Sequence, residues 1–249
     1  MFGRFIVLLL LVSCVLFAKK INVAVAANVS YAIKDLVKEF NKTYPDIKVR
    51  VTLGSSGKLT AQIRNKAPLD IFMSANMRYP QALYDDGLTM TKPVVYAQGV
   101  LAFLSLKERD FSKGIKLLED RDIKVIAISN PKTAPYGIAA FEALKNAKIL
   151  DKVKHKFVYG ESVSQTISYS VTAADIGLVA KSALFSPRMA KFKRGKNFIE
   201  IDKKLYKPIN QGMVILKDSK SKSEVKLFYD FILSDDARKI FQRYGYILP

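Results

Sequence analysis

One cysteine and one histidine in 249 residues leave little room for several common chemistries. Cys14 lies inside an apolar N-terminal run, and removal of that run would leave a chain without any thiol. Disulfide staples and thiol nucleophiles are excluded on that basis. His155 sits in residues 152–156 (Lys-Val-Lys-His-Lys), the pattern of a solvated charged face. A histidine-rich metal site is impossible, and any Ser-His-Asp triad would have to pass through this one residue. Glycine and proline are sparse, at 12 and 9 residues, and no tract is low in complexity, so an ordered chain is expected. Acidic residues are outnumbered 41 to 22, which gives a formal charge of +19. Such an excess favours anionic partners. Nucleic acid is not the expected one. The basic residues are spread along the chain, are densest only across residues 181–207, and follow what reads as an export leader.

That leader is the first feature that is present rather than missing. Arg4 supplies a positive start, residues 5–17 form an apolar run, and Ala18 precedes Lys19 and Lys20. The run has the length of a signal-peptide core and is short for a membrane span. A signal peptide of residues 1–18 is expected, and with it a periplasmic protein. Residues 11–14 (Leu-Val-Ser-Cys) offer a rival reading, a lipoprotein cleavage box that would make Cys14 a lipid anchor. Against it, Val15, Leu16 and Phe17 would follow the lipid directly, where a polar tether is usual.

Beyond the leader, strand and helix patterns alternate. Residues 21–26 read as a buried strand. Residues 30–44 carry Ala32, Ile33, Leu36, Val37 and Phe40 at helical spacing, and Pro45 stops them. Residues 47–53 alternate as a strand does. Helices are expected at 58–65, 78–86, 136–146 and 162–172, with strands at 70–74, 125–128, 156–159 and 176–179. The long apolar run 94–104 reads as strand, and residues 198–201 and 211–216 follow. Two helices over 223–244 close the chain. This order implies an α/β fold with parallel sheets. No Pro/Gly linker cuts the chain, so two lobes sharing it discontinuously are expected, with crossovers near 94–104 and 207–213. Residues 19–97 with 208–249 would form one lobe and residues 98–207 the other.

Four strand-to-helix junctions carry small or hydrogen-bonding residues. They are residues 26–30 (Ala-Ala-Asn-Val-Ser), 54–57 (Gly-Ser-Ser-Gly), 134–137 (Ala-Pro-Tyr-Gly) and 160–164 (Gly-Glu-Ser-Val-Ser). Each would present free backbone N–H groups at the positive end of a helix, which is an anion site needing no charged side chain. Taken singly, each is also an ordinary N-cap or turn. All four together, in an exported α/β chain, point to an anion. The donors are neutral, and that bears on which anion. A fully deprotonated tetrahedral dianion presents only acceptors and suits a pocket of donors. Hydrogen phosphate carries a proton and would want a carboxylate acceptor, and Glu161 is the only carboxylate in these junctions. A helix-start acid is its ordinary role. Asp70 is read as fixing a turn.

These stretches resemble the periplasmic molybdate-binding proteins of ABC transporters. The likeness runs in order through residues 23–30, 55–59 with Gln62 and Ile63, 67–75, Asn130 with Pro131, 135–137, 176–179 and 240–247. It implies a type II periplasmic-binding-protein fold, with two α/β lobes, two crossover strands, and a molybdate or tungstate ion buried between them. It also implies lobe closure on binding and delivery to an inner-membrane ABC permease by a monomer that carries no cofactor and does no catalysis. The family's contact positions fall on Asn28, Ser56, Tyr136 and Val163. Asn28 and Ser56 would give side-chain and backbone donors. Tyr136 and Val163 would give backbone N–H groups, with the Tyr136 hydroxyl as a further donor.

The chain departs from many members in having Asn28 where they have serine and Ala180 where they have a ligand-contacting tyrosine. Sulfate or another tetrahedral anion is the alternative ligand, and size would have to exclude it. A regulator's sensing domain shares the architecture but not the leader. A hydrolase built on Ser56 or Ser162 with His155 lacks a Gly-x-Ser-x-Gly elbow.

Overall fold

The structure, a computed structural model, describes residues 19–219 and 222–249. The expected signal peptide and Cys14 lie outside the described residues. The chain runs through β1 (Lys19–Ala26), α1 (Ile33–Thr43), β2 (Ile47–Gly54), α2 (Ser56–Arg64), β3 (Ile71–Met73), α3 (Arg78–Asp85) and β4 (Val94–Gly99). It then forms β5 (Leu101–Leu104), β6 (Ile126–Ser129), α4 (Pro135–Asn146), α5 (Leu150–Val153), β7 (Phe157–Gly160), α6 (Val163–Thr172), β8 (Ile176–Ala180) and β9 (Phe198–Glu200). It returns with β10 (Ile209–Ile215), α7 (Lys222–Ile232) and α8 (Asp235–Arg243).

Two five-stranded sheets result, with orders β2-β1-β3-β10-β4 and β7-β6-β8-β5-β9. In the first, β1 runs parallel to β2 and β3, while β10 is antiparallel to β3 and β4. The second repeats the plan. There β6 is parallel to β7 and β8, and β5 is antiparallel to β8 and β9. β1 shows why a central strand reads as an apolar run: Val23, Ala24, Val25 and Ala26 are all buried, because helices cover both faces of its sheet. α1 buries Ile33, Leu36 and Phe40 at helical spacing, and Phe40 packs edge-on to Phe228 of α7.

The run 94–104 is one apolar stretch but two strands. β4 pairs with β10 in the first sheet and β5 with β8 in the second, so the chain changes sheet at Val100. β10 begins opposite Gly99 and returns the chain to the first sheet. The β4–β10 register shifts between Gln211 and Gly212, where Tyr96 is the extra residue and bulges β4.

The lobes are shut on each other. Ala26, Ala27 and Ala75 of the first share a continuous apolar cluster with Tyr136 and Val163 of the second. Hydrogen bonds cross as well. Gly57 N–H donates to Thr133 O at 2.9 Å, Ser164 Oγ to Ala27 O at 3.1 Å, and Ser182 Oγ to Asn28 O at 2.9 Å. Gly57 is required by this approach. A Cβ there would stand 3.0 Å from Thr133 Cα and O and 2.8 Å from Tyr79 Oη. Among the described residues no helix is long and apolar enough to cross a membrane.

Candidate functional site

The parallel strands of both sheets point their carboxyl ends at the cleft, where ligands of open α/β sheets bind. β1 ends at Ala26 and runs into a single 3-10 turn, Ala27–Val29. β2 ends at Gly54, and α2 starts two residues on at Ser56. β6 leads through a turn to α4, whose first residue is Pro135, a position where the missing N–H costs nothing. β7 ends at Gly160 and α6 starts at Val163, capped by the Ser162 hydroxyl on Gln165 N–H.

These starts converge on one cavity, lined by Ala27, Asn28, Ser55, Ser56, Tyr136 and Val163, among others. It is a small cavity, open at its mouth. Asn28, Ser56, Tyr136 and Val163 thus come together, and they are 1, 0, 2 and 4% exposed. The first N–H groups of a helix have no acceptor within it, so α2, α4 and α6 all direct unpaired donors and positive dipole ends here. Cavity-lining residues include no Asp, Glu or His.

Side chains sharpen the picture. Ser56 Oγ accepts the Ala75 N–H at 3.0 Å, which fixes its lone pair and leaves its proton free to donate. Ser55 Oγ, Tyr136 Oη and Asn28 Oδ1 are buried with no hydrogen-bond partner. Orphaned buried polar atoms are rare in folded proteins, and two of these, the Ser55 and Tyr136 hydroxyls, are donors that an anion could use, whereas Asn28 Oδ1 can only accept. Burial, reinforced by Tyr246, Tyr96 and Tyr206, pushes the Tyr136 phenol well above its ordinary value. The hydroxyl is therefore neutral and carries its proton.

Asn28 departs from the sequence expectation. Its Nδ2 donates to Gln211 Oε1 at 2.7 Å and to Tyr246 Oη at 2.9 Å. The side-chain donor is committed inside the protein, and the backbone N–H is what remains for a ligand. The two acidic residues singled out by sequence stand clear of the cavity. Asp70 accepts from Asn22 N–H at 2.7 Å and ties β3 to β1. Glu161 pairs with Lys58 across the cleft mouth at 2.6 Å. Ala180 is fully buried at the end of β8 and does not line the cavity. His155 is exposed and does not line the cavity.

Sequence reading missed Ser55, Gln211 and Tyr246. Ser55 was hidden because α2 starts at Ser56 rather than Lys58, which decides which serine caps and which lies within the helix. Gln211 carried a usable signal: it is a polar side chain inside the buried run Ile209–Ile215.

Residues 21–247 match the bacterial extracellular solute-binding proteins. The chain belongs to that family. This solute-binding protein is 32% identical to the molybdate-binding protein ModA of Azotobacter vinelandii over 95% of its own length and 93% of that protein's. It is 31% identical to the molybdate-binding protein of Rhodobacter capsulatus over 92% of this chain and 89% of the other. The solved periplasmic molybdate-binding protein of Azotobacter vinelandii superposes with a TM-score of 0.85, covering 92% of this chain and 99% of that one. The shared architecture is the two-lobe periplasmic-binding-protein fold.

Proposed function

We propose that this chain captures molybdate between its lobes and delivers it to an ABC permease of the inner membrane. Tungstate, of the same shape and charge, is a second ligand of the same site. The observation that carries this reading is the buried cavity between the lobes where three helix N-termini and the turn at Asn28 meet, lined by neutral residues and by no carboxylate. Such a site favours a fully deprotonated tetrahedral dianion, because every ligand oxygen is an acceptor. Molybdate is named because the relatives that align over nearly the whole chain are molybdate-binding proteins.

In this reading Ser56, Tyr136 and Val163 give backbone N–H groups, Ser56 adds its hydroxyl, and Asn28 gives its backbone N–H. Asn28 and Ser56 come from the lobe of residues 19–97 with 208–249, and Tyr136 and Val163 from residues 98–207. The anion therefore joins the lobes and holds them shut. The protein acts outside the cytoplasm as a monomer, after loss of residues 1–18, and performs no catalysis.

Calorimetric titration of the ligand-stripped chain with molybdate, tungstate, sulfate and phosphate tests this. Tight one-to-one binding of the two larger anions with weak or silent responses from the others is expected. Binding of sulfate or phosphate, with molybdate and tungstate silent, overturns the assignment.

A further inference from the structure

Gln211 is wholly buried on β10, close to the crossing between lobes. Its Nε2 donates to two backbone carbonyls, Ala75 O at 3.2 Å and Ile209 O at 2.8 Å. Carbonyls cannot donate, so the amide has one possible orientation, with Oε1 turned to Asn28. Oε1 then accepts from Asn28 Nδ2, which fixes the second amide in turn. Tyr246 completes the clamp, accepting from Asn28 Nδ2 and donating to Asn28 O, each at 2.9 Å.

The other arm of Gln211 leads to Ser56. The Ala75 residue whose carbonyl receives Gln211 Nε2 uses its own N–H to hold Ser56 Oγ. One buried side chain thus connects Asn28 and Ser56, the two contact residues expected from the first lobe. Gly99, at the crossing, makes room for it. A Cβ there would fall 2.9 Å from Gln211 Nε2 and far inside contact distance of Tyr136 Oη.

We propose that Gln211 is a positioning residue of the anion site. It sets the polarity of the Asn28 amide and, through the Ala75 peptide, holds the Ser56 hydroxyl with its proton free for the ligand. This rests on the molybdate-site reading above. Because Gln211 also bonds Ile209 on the crossover strand, the donors of the first lobe are registered to the crossing between the lobes.

The test is a double-mutant cycle on the full chain without its leader, read by molybdate titration. Gln211→Met keeps a similar length and removes both hydrogen-bonding arms. The substitution should weaken molybdate binding at least tenfold. Combined with Ser56→Ala or Asn28→Ala, its further effect should shrink to about threefold or less in at least one background, because it acts through those residues. Full multiplicative losses in both backgrounds would overturn the proposal while leaving the site intact. A silent Ser56→Ala single variant would instead remove the hydroxyl donor from the site reading, and the proposal with it. A merely structural Gln211 would lower the melting temperature without this pattern. Should Gln211→Met not fold, amide exchange in the unaltered chain decides. The Gln211 side-chain amide protons should exchange slowly with and without molybdate, and exchange at the rate of a solvent-exposed amide would overturn the assignment.

Discussion

Replacing Ser56 by alanine separates binding from folding with unusual clarity. Its Oγ makes one protein hydrogen bond, from Ala75 N–H at 3.0 Å, and has one proton to offer the anion. A hydrogen bond to a charged partner contributes about 1.5–3 kcal/mol, so Ser56→Ala should raise the molybdate Kd by about 10- to 150-fold. The same substitution strands the Ala75 N–H, which should lower the stability of the ligand-free protein by about 1–3 kcal/mol. The two effects have different readouts. Calorimetry gives the affinity loss, and denaturant unfolding without ligand gives the stability loss. Added molybdate should stabilise the variant much less than the unaltered chain at equal concentration. An unchanged Kd alongside the expected stability loss would refute the donor role and leave Ser56 a structural residue only.

Four further outcomes follow from the geometry. Gly57→Ala forces a Cβ against the Thr133 backbone, so closure should lose about 1–3 kcal/mol, seen in stopped flow as faster molybdate release at unchanged association rate. Lys58→Met breaks the exposed pair with Glu161 and should cost affinity less than about 1 kcal/mol, an effect that fades in high salt. No cavity-lining group titrates near neutrality, and burial raises the Tyr136 phenol, so molybdate affinity should stay flat from about pH 6 to about pH 9. Burial alone would raise the Glu200 pKa, but Arg194 and Lys181 outweigh it and hold the carboxyl at about 2. Its folded pKa is depressed, so its contribution is complete above the ordinary value of 4.5 and disappears as pH falls toward about 2. Glu200→Gln should therefore flatten the acid limb of the stability profile in that window, as measured by thermal melts.

Much of the fold was legible because alternation of strand and helix is a local pattern. Val23 to Ala26 read as a buried strand, and Ile33, Leu36 and Phe40 as one helix face, without any knowledge of partners. Sheet membership is different. Residues 94–104 are equally apolar throughout, and only the pairing of β4 with β10 and of β5 with β8 shows the change of sheet at Val100. The site divides in the same way. Helix starts rich in Gly, Ser and Pro announce free N–H groups, and Ser56, Tyr136 and Val163 follow from that rule. The state of the Asn28 amide does not. Its partners Gln211 and Tyr246 lie 183 and 218 residues away, and nothing near Asn28 in sequence says that its amide is already committed. Glu161 was likewise ambiguous until Lys58 was found opposite it on the other lobe.

The most direct test places the anion itself. Crystals of the chain grown with molybdate, measured at the molybdenum absorption edge, should show a single anomalous peak inside the cavity, between the backbone N–H groups of Ser56 and Val163. A peak confined to the outer groove beside Lys34 and Arg188, or none in the cavity, would contradict the account.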